Sequence, residues 1–140
     1  MDILHHFEEE GTGHPFIMLH GNGEDGSYFI NQLRYFSTKY RVILLDTRGH
    51  GQTPRGGAPF TIEQFAEDLK YFMDSQNISS AHILGFSDGG NIALTFALKY
   101  PEKVDALILN GANLCPSGVK RKYQLPIEIG YRLAMRSSGS

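Results

Sequence analysis

The chain has 140 residues, which is room for one ordinary domain, and 41% apolar against 20% charged residues is enough to bury a core. A formal net charge of −2 argues against nucleic-acid binding, which needs a basic surface. The single cysteine, Cys115, excludes an intramolecular disulfide and a cysteine-based zinc cage, and no run approaches the ~20 apolar residues of a membrane span.

The start, Met1-Asp2-Ile3-Leu4-His5-His6, lacks the basic segment and apolar stretch of a signal peptide, so a soluble, cytoplasmic protein is expected. Residues 3–10 read as a short acidic strand, and Gly11-Thr12-Gly13 as a turn. Phe16-Ile17-Met18-Leu19 is an apolar run between Pro15 and Gly21, the pattern of a buried strand. A tight turn, Gly21-Asn22-Gly23, follows it. Tyr28, Phe29, Leu33 and Phe36 then predict a helix over 27–37. Val42-Ile43-Leu44-Leu45 is continuously apolar, as a parallel strand covered on both faces would be.

Residues 47–60 hold four glycines and two prolines and read as a loop. Asp46 and Arg48 are expected to form an ion pair that fixes it. Thr61-Ile62-Glu63-Gln64 has the form of a capping box, in which Gln64 reaches back to the cap. Ile62, Phe65, Leu69 and Phe72 give one apolar face to a helix running to about residue 76, and these aromatics are assigned to the core. Ala81–Phe86 is a third strand of this kind. Ile92, Ala93, Phe96 and Ala97 mark a helix that Tyr100-Pro101 ends, and Val104–Leu109 is the next strand. Strands alternating with helices predict an α/β fold: a mostly parallel sheet with helices on both faces.

Charge changes sign near Gly118. Residues 1–117 carry 8 Lys and Arg against 14 Asp and Glu, while residues 118–140 carry 5 against 1. The expected organisation is therefore a core over 1–117, a separate segment over 118–135 and a tail over 136–140. In the second segment Ile127, Ile129, Leu133 and Ala134 are expected to form a helical apolar face after Pro126. Lys120-Arg121-Lys122 reads as solvated surface, and Cys115 as a small buried hydrophobe.

Gly85-Phe86-Ser87-Asp88-Gly89 matches Gly-x-Ser-x-Gly between a predicted strand and a predicted helix. A serine turned sharply from strand into helix needs small neighbours, and its hydroxyl then stands clear of the sheet. The alternative is a corner where Ser87 merely caps the helix. An ester or amide attacked by Ser87 would form an anionic tetrahedral intermediate that needs preorganised donors. The Asp88 amide, at the helix start, is one candidate. The Asn22 amide, in His20-Gly21-Asn22-Gly23 after the first buried strand, is the other.

Together His20-Gly21-Asn22-Gly23, Asp46-Thr47-Arg48-Gly49-His50-Gly51 and Gly85-Phe86-Ser87-Asp88-Gly89-Gly90 resemble the α/β-hydrolase superfamily over roughly residues 3–118. The resemblance implies a serine hydrolase of small carboxylic esters or related acyl compounds. Ser87 falls at the family's nucleophile, and Asn22 and Asp88 at its oxyanion-hole donors, with no cofactor and no metal. Ser87-Asp88-Gly89-Gly90 also looks like a branch that hydrolyses amino-acid esters, where the acid after the serine faces a substrate ammonium. The plainer reading of Asp88 is a helix-start acid meeting the helix dipole.

The family order is serine, acid, histidine, yet all six histidines precede Ser87. The stretch after Val104–Leu109 reads Asn110-Gly111-Ala112-Asn113, with no carboxylate. His50 makes a poor base on this reading, and His20 with His50 lacks a third metal ligand. The simplest account is the amino-terminal portion of such a fold, weak or inactive alone, with residues 118–135 starting a cap. Its last strand is then expected to be a bare apolar edge that drives homo-oligomerisation or binds a complementing chain. The alternative is a non-catalytic, binding or self-associating relative. No Gly-x-x-x-x-Gly-Lys-Ser/Thr phosphate loop or dinucleotide fingerprint is present.

Overall fold

The fold is seen in a computed structural model, which describes residues 1–110 and 132–133. Among the described residues six strands form one sheet: β1 (Phe7–Glu10), β2 (Pro15–Leu19), β3 (Arg41–Leu45), β4 (Ala81–Phe86), β5 (Val104–Asn110) and β6 (Arg132–Leu133). Their spatial order is β1-β3-β2-β4-β5-β6. The four central strands pair in parallel, while β1 and β6 pair antiparallel at the two ends. The helices are α1 (Ile30–Phe36), α2 (Ile62–Ser75) and α3 (Asp88–Lys99). A short 3₁₀ turn over Gly26–Phe29 leads into α1.

The apolar runs of β2 and β3 are explained by burial on both faces. Ile17, Leu19, Ile43 and Leu45 pack with Leu69, Phe72 and Met73 of α2 and with Ile92 and Phe96 of α3. Phe16, Met18, Val42 and Leu44 point the other way, to Phe29 and to Leu33 of α1. Alternation along each strand thus feeds two cores, as parallel sheets require.

Helix α2 starts as its sequence suggests, because the Thr61 hydroxyl accepts from the Gln64 amide at 3.1 Å. The expected return bond is absent. The Gln64 amide side chain instead donates to Asp68 Oδ1 at 2.8 Å, since the buried Asp68 needs partners more than the exposed cap does.

The expected Asp46–Arg48 pair is also absent. Arg48 has a side chain that is 0% exposed, and it pairs with Asp68 through Nε and Nη2, both at 2.9 Å. It also pairs with Asp2, at 2.9 Å through Nη1 and 2.8 Å through Nη2. Asp46 turns to backbone donors instead, the amides of Gly26 at 2.7 Å and Gln52 at 3.0 Å. A guanidinium with no access to water needs carboxylates on more than one side, and these come from the chain start and from α2.

The edge expected to be bare after β5 is paired over two residues, Leu107 with Leu133 and Ile108 with Arg132. Arg132 and Leu133 are therefore extended, not part of the helical face expected after Pro126. The rest of that face, the boundary at 117, Cys115 and Lys120–Lys122 lie outside the described residues. Among those described, no helix is long and apolar enough to cross a membrane.

Candidate active site

The strand β4 ends at Phe86 and α3 begins at Asp88, so the whole reversal falls on Ser87. Its backbone has φ 57° and ψ −121°, a region that costs a non-glycine residue roughly 1–3 kcal/mol. Hydrogen bonds on both sides maintain this conformation. The Ser87 amide donates to the Asn110 carbonyl of β5 at 3.2 Å, and its carbonyl accepts from the Gly90 amide at 2.8 Å. The hydroxyl makes no capping bond to α3, and the residue is only half-buried. The Ser87 side chain is therefore not a helix cap.

Small residues let three segments meet here. A Cβ on Gly89 would lie 2.1 Å from the Leu19 carbonyl oxygen at the end of β2. One on Gly85 would lie 2.3 Å from the Gly89 carbonyl oxygen. Either would push α3 off the sheet and misplace Ser87. Across from them, a Cβ on Gly21 would stand 3.2 Å from the Ser87 Cβ and 3.5 Å from the Phe86 ring. The loop after β2 thus lies directly against the serine.

A small cavity opens beside these residues, lined by His20, Asn22, His50, Phe65, Asp88 and Ile92 among others. Asn22 is exposed, and Asp88 is half-buried. As the first residue of α3, Asp88 has an N–H that the helix itself leaves without an acceptor. Phe65, assigned to the core from its spacing, packs against the core and also forms one wall of this cavity. On the other flank the Tyr28 ring stacks on Phe86, with centroids 4.7 Å apart at 21°.

Two histidines link the loops after β2 and β3. His20 is buried, and its Nδ1 donates to the Gly21 carbonyl at 2.8 Å. Its Nε2 then accepts from the Thr47 amide at 3.1 Å. Both nitrogens are satisfied in the neutral form. Burial is the main cause that holds its pKa below the ordinary histidine value, outweighing the Gly21 bond. His50 lies close by, 5.0 Å between ring centroids, with Nδ1 3.1 Å from the Arg48 carbonyl and Nε2 3.3 Å from Asn22 Oδ1. These histidines therefore join loop to loop.

The structure thus gathers Ser87, Asn22 and Asp88 at one end of the sheet, beyond the carboxyl ends of its parallel strands. Sequence reasoning missed Glu24, whose carboxylate accepts from the Gly21 amide at 3.0 Å, and Thr47, which ties His20. An acid three residues after a glycine was the available signal, but such a pair is common in any turn.

A nucleophile-type elbow on a mostly parallel sheet, faced by a glycine-rich loop, defines a hydrolase architecture. Residues 14–126 match the family model described as alpha/beta hydrolase fold, and the chain belongs to that family. A 2-hydroxy-6-oxo-6-phenylhexa-2,4-dienoate hydrolase of Comamonas testosteroni is 35% identical over 134 residues, which cover 90% of this chain and 44% of that relative. A solved esterase of Thermogutta terrifontis matches with a TM-score of 0.76 at 31% identity, over 79% of this chain and 41% of that one. A solved marine microorganism esterase matches with a TM-score of 0.73 at 36% identity, over 76% and 41%. The chain spans less than half the length of each of these proteins.

Proposed function

We propose that the chain carries the nucleophile and oxyanion hole of a serine hydrolase acting on small carboxylic esters or related acyl compounds. Ser87 Oγ attacks the acyl carbon, the carbonyl oxygen becomes an oxyanion held by the Asn22 and Asp88 amides, and loss of the alcohol leaves an acyl-enzyme. The observation that carries this reading is the backbone of Ser87, a non-glycine residue at φ 57° whose hydroxyl does not cap the helix. Strain held by bonds on both sides, next to a glycine loop, is a reason to assign chemistry to that position. The esterases and the dienoate hydrolase among the relatives support the class of reaction.

All six histidines precede Ser87, so these 140 residues hold no base at the family position. Loss of triad members costs several orders of magnitude in rate, and little or no turnover of p-nitrophenyl acetate is expected from this polypeptide alone. Without that base Ser87 is expected to react with a fluorophosphonate only slowly, so labelling is followed over prolonged incubation with excess reagent. Peptide mapping is expected to find the adduct on Ser87, with none on Ser87→Ala. Equal labelling of the two proteins would overturn the assignment.

Self-association is part of the same proposal. Among the described residues β6 pairs with Leu107 and Ile108 of β5, and an apolar strand at the end of a parallel sheet is the kind of edge that recruits a second chain. Sedimentation velocity is expected to show a species heavier than the monomer. A stable compact monomer counts against it.

A further inference from the structure

Building on that reading of Ser87 and the Asn22 amide, we propose that Glu24 is a positioning residue that locks the Gly21–Asn22 peptide and so aims the oxyanion donor. Three hydrogen bonds converge on Gly21. Its amide donates to Glu24 Oε1 at 3.0 Å. Its carbonyl accepts from the Glu24 amide at 3.2 Å and from His20 Nδ1 at 2.8 Å. Glu24 thus holds both ends of one residue, with its side chain on the N–H and its own backbone on the C=O.

The consequence follows from peptide geometry. No described peptide is cis, so the N–H of Asn22 points opposite to the carbonyl of Gly21. Fixing that carbonyl fixes the donor. The lock has to come from neighbours, because Gly21 has no side chain and a free glycine samples many backbone states. A larger residue there would also press on its neighbours. A Cβ on Gly21 would stand 3.0 Å from Glu24 Oε1 and 3.2 Å from the Ser87 Cβ. The same two distances put the Glu24 carboxylate close to the nucleophile, where a negative charge opposes a developing oxyanion. The useful property of Glu24 is therefore its acceptor oxygen, and its charge is a cost. Glutamine keeps that oxygen at the same reach. Aspartate is one methylene too short, and alanine has none.

The test uses the full chain as wild type and as Glu24→Gln, Glu24→Asp and Glu24→Ala. Amide hydrogen exchange at Gly21 reads the lock, with Ile17 and Ile43 as core references. The rate of Ser87 phosphonylation by a fluorophosphonate, followed by intact mass, reads its effect on the site. In the Ala and Asp variants Gly21 exchange is expected to rise at least about tenfold with the core references unchanged. Phosphonylation is expected to slow by about tenfold or more in both, consistent with a misplaced oxyanion donor. Glu24→Gln should match or exceed the wild type in labelling and keep Gly21 protected. Unchanged Gly21 exchange in the Ala and Asp variants overturns the lock. Faster exchange with unchanged labelling overturns its role at the nucleophile, and a Gln variant that behaves like Ala overturns the acceptor argument. Should Ala also expose Ile17, the contrast between Asp and Gln decides. A wild type that never labels overturns the Ser87 assignment instead, and exchange alone then decides the lock.

Discussion

Ser87 shows what a single residue can store. Its left-handed backbone is stabilised by bonds to Asn110 and Gly90, and the strain stays in the native state. Ser87→Gly removes the Cβ that makes this conformation costly, at the expense of greater freedom in the unfolded chain. Relative to Ser87→Ala, the glycine variant is expected to be more stable by about 1 kcal/mol, read as a higher urea midpoint. Equal midpoints would mean that the elbow carries no strain. The elbow was legible in the sequence because its requirement is local: small residues beside a serine, between a strand and a helix. Glu24 was not legible. Its role depends on where its carboxylate turns after a tight turn, and no spacing rule encodes that.

Among the elements, the central strands were the easiest to read. β2 and β3 are buried on both faces, so their composition is apolar throughout, and α2 shows its inward stripe directly. The partners of Arg48 could not be read this way. Asp2 and Asp68 lie far from it along the chain and meet it only after the sheet has formed, so the nearby Asp46 looked the better match. Phe65 packs against the core as its spacing suggests, but helical spacing could not show that the same ring also borders a cavity. The Arg48–Asp68 pair joins the loop after β3 to α2, out of contact with water. Arg48→Met is expected to cost about 3–5 kcal/mol in chemical denaturation, because it leaves Asp68 buried without its countercharge. Adding Asp68→Leu to Arg48→Met should recover most of that loss. A double variant no more stable than the single one would show that the pair is not what anchors α2.

At the scale of the whole molecule, two buried imidazoles contribute to the response to mild acid. Burial lowers the pKa of both His5 and His20, more than Asp68 raises the first or the Gly21 carbonyl raises the second. The unfolded chain therefore binds more protons than the folded one below the ordinary histidine pKa, and stability rises with pH through that range. The contribution is complete above the unfolded value of about 6.5 and is lost as pH falls toward the depressed folded values. A lower urea midpoint at about pH 5.5 than at about pH 7.5 is expected, and His5→Phe should reduce the difference by removing one of the two groups. An unchanged midpoint would mean that neither ring is kept neutral by burial. The chain contains no tryptophan. Tyr28, stacked on Phe86 at the flank of Ser87, is therefore the natural place for a lone indole. Tyr28→Trp would turn that stacked pair into a fluorescent gauge, its emission reporting whatever comes to occupy the space beside Ser87 without any need for turnover.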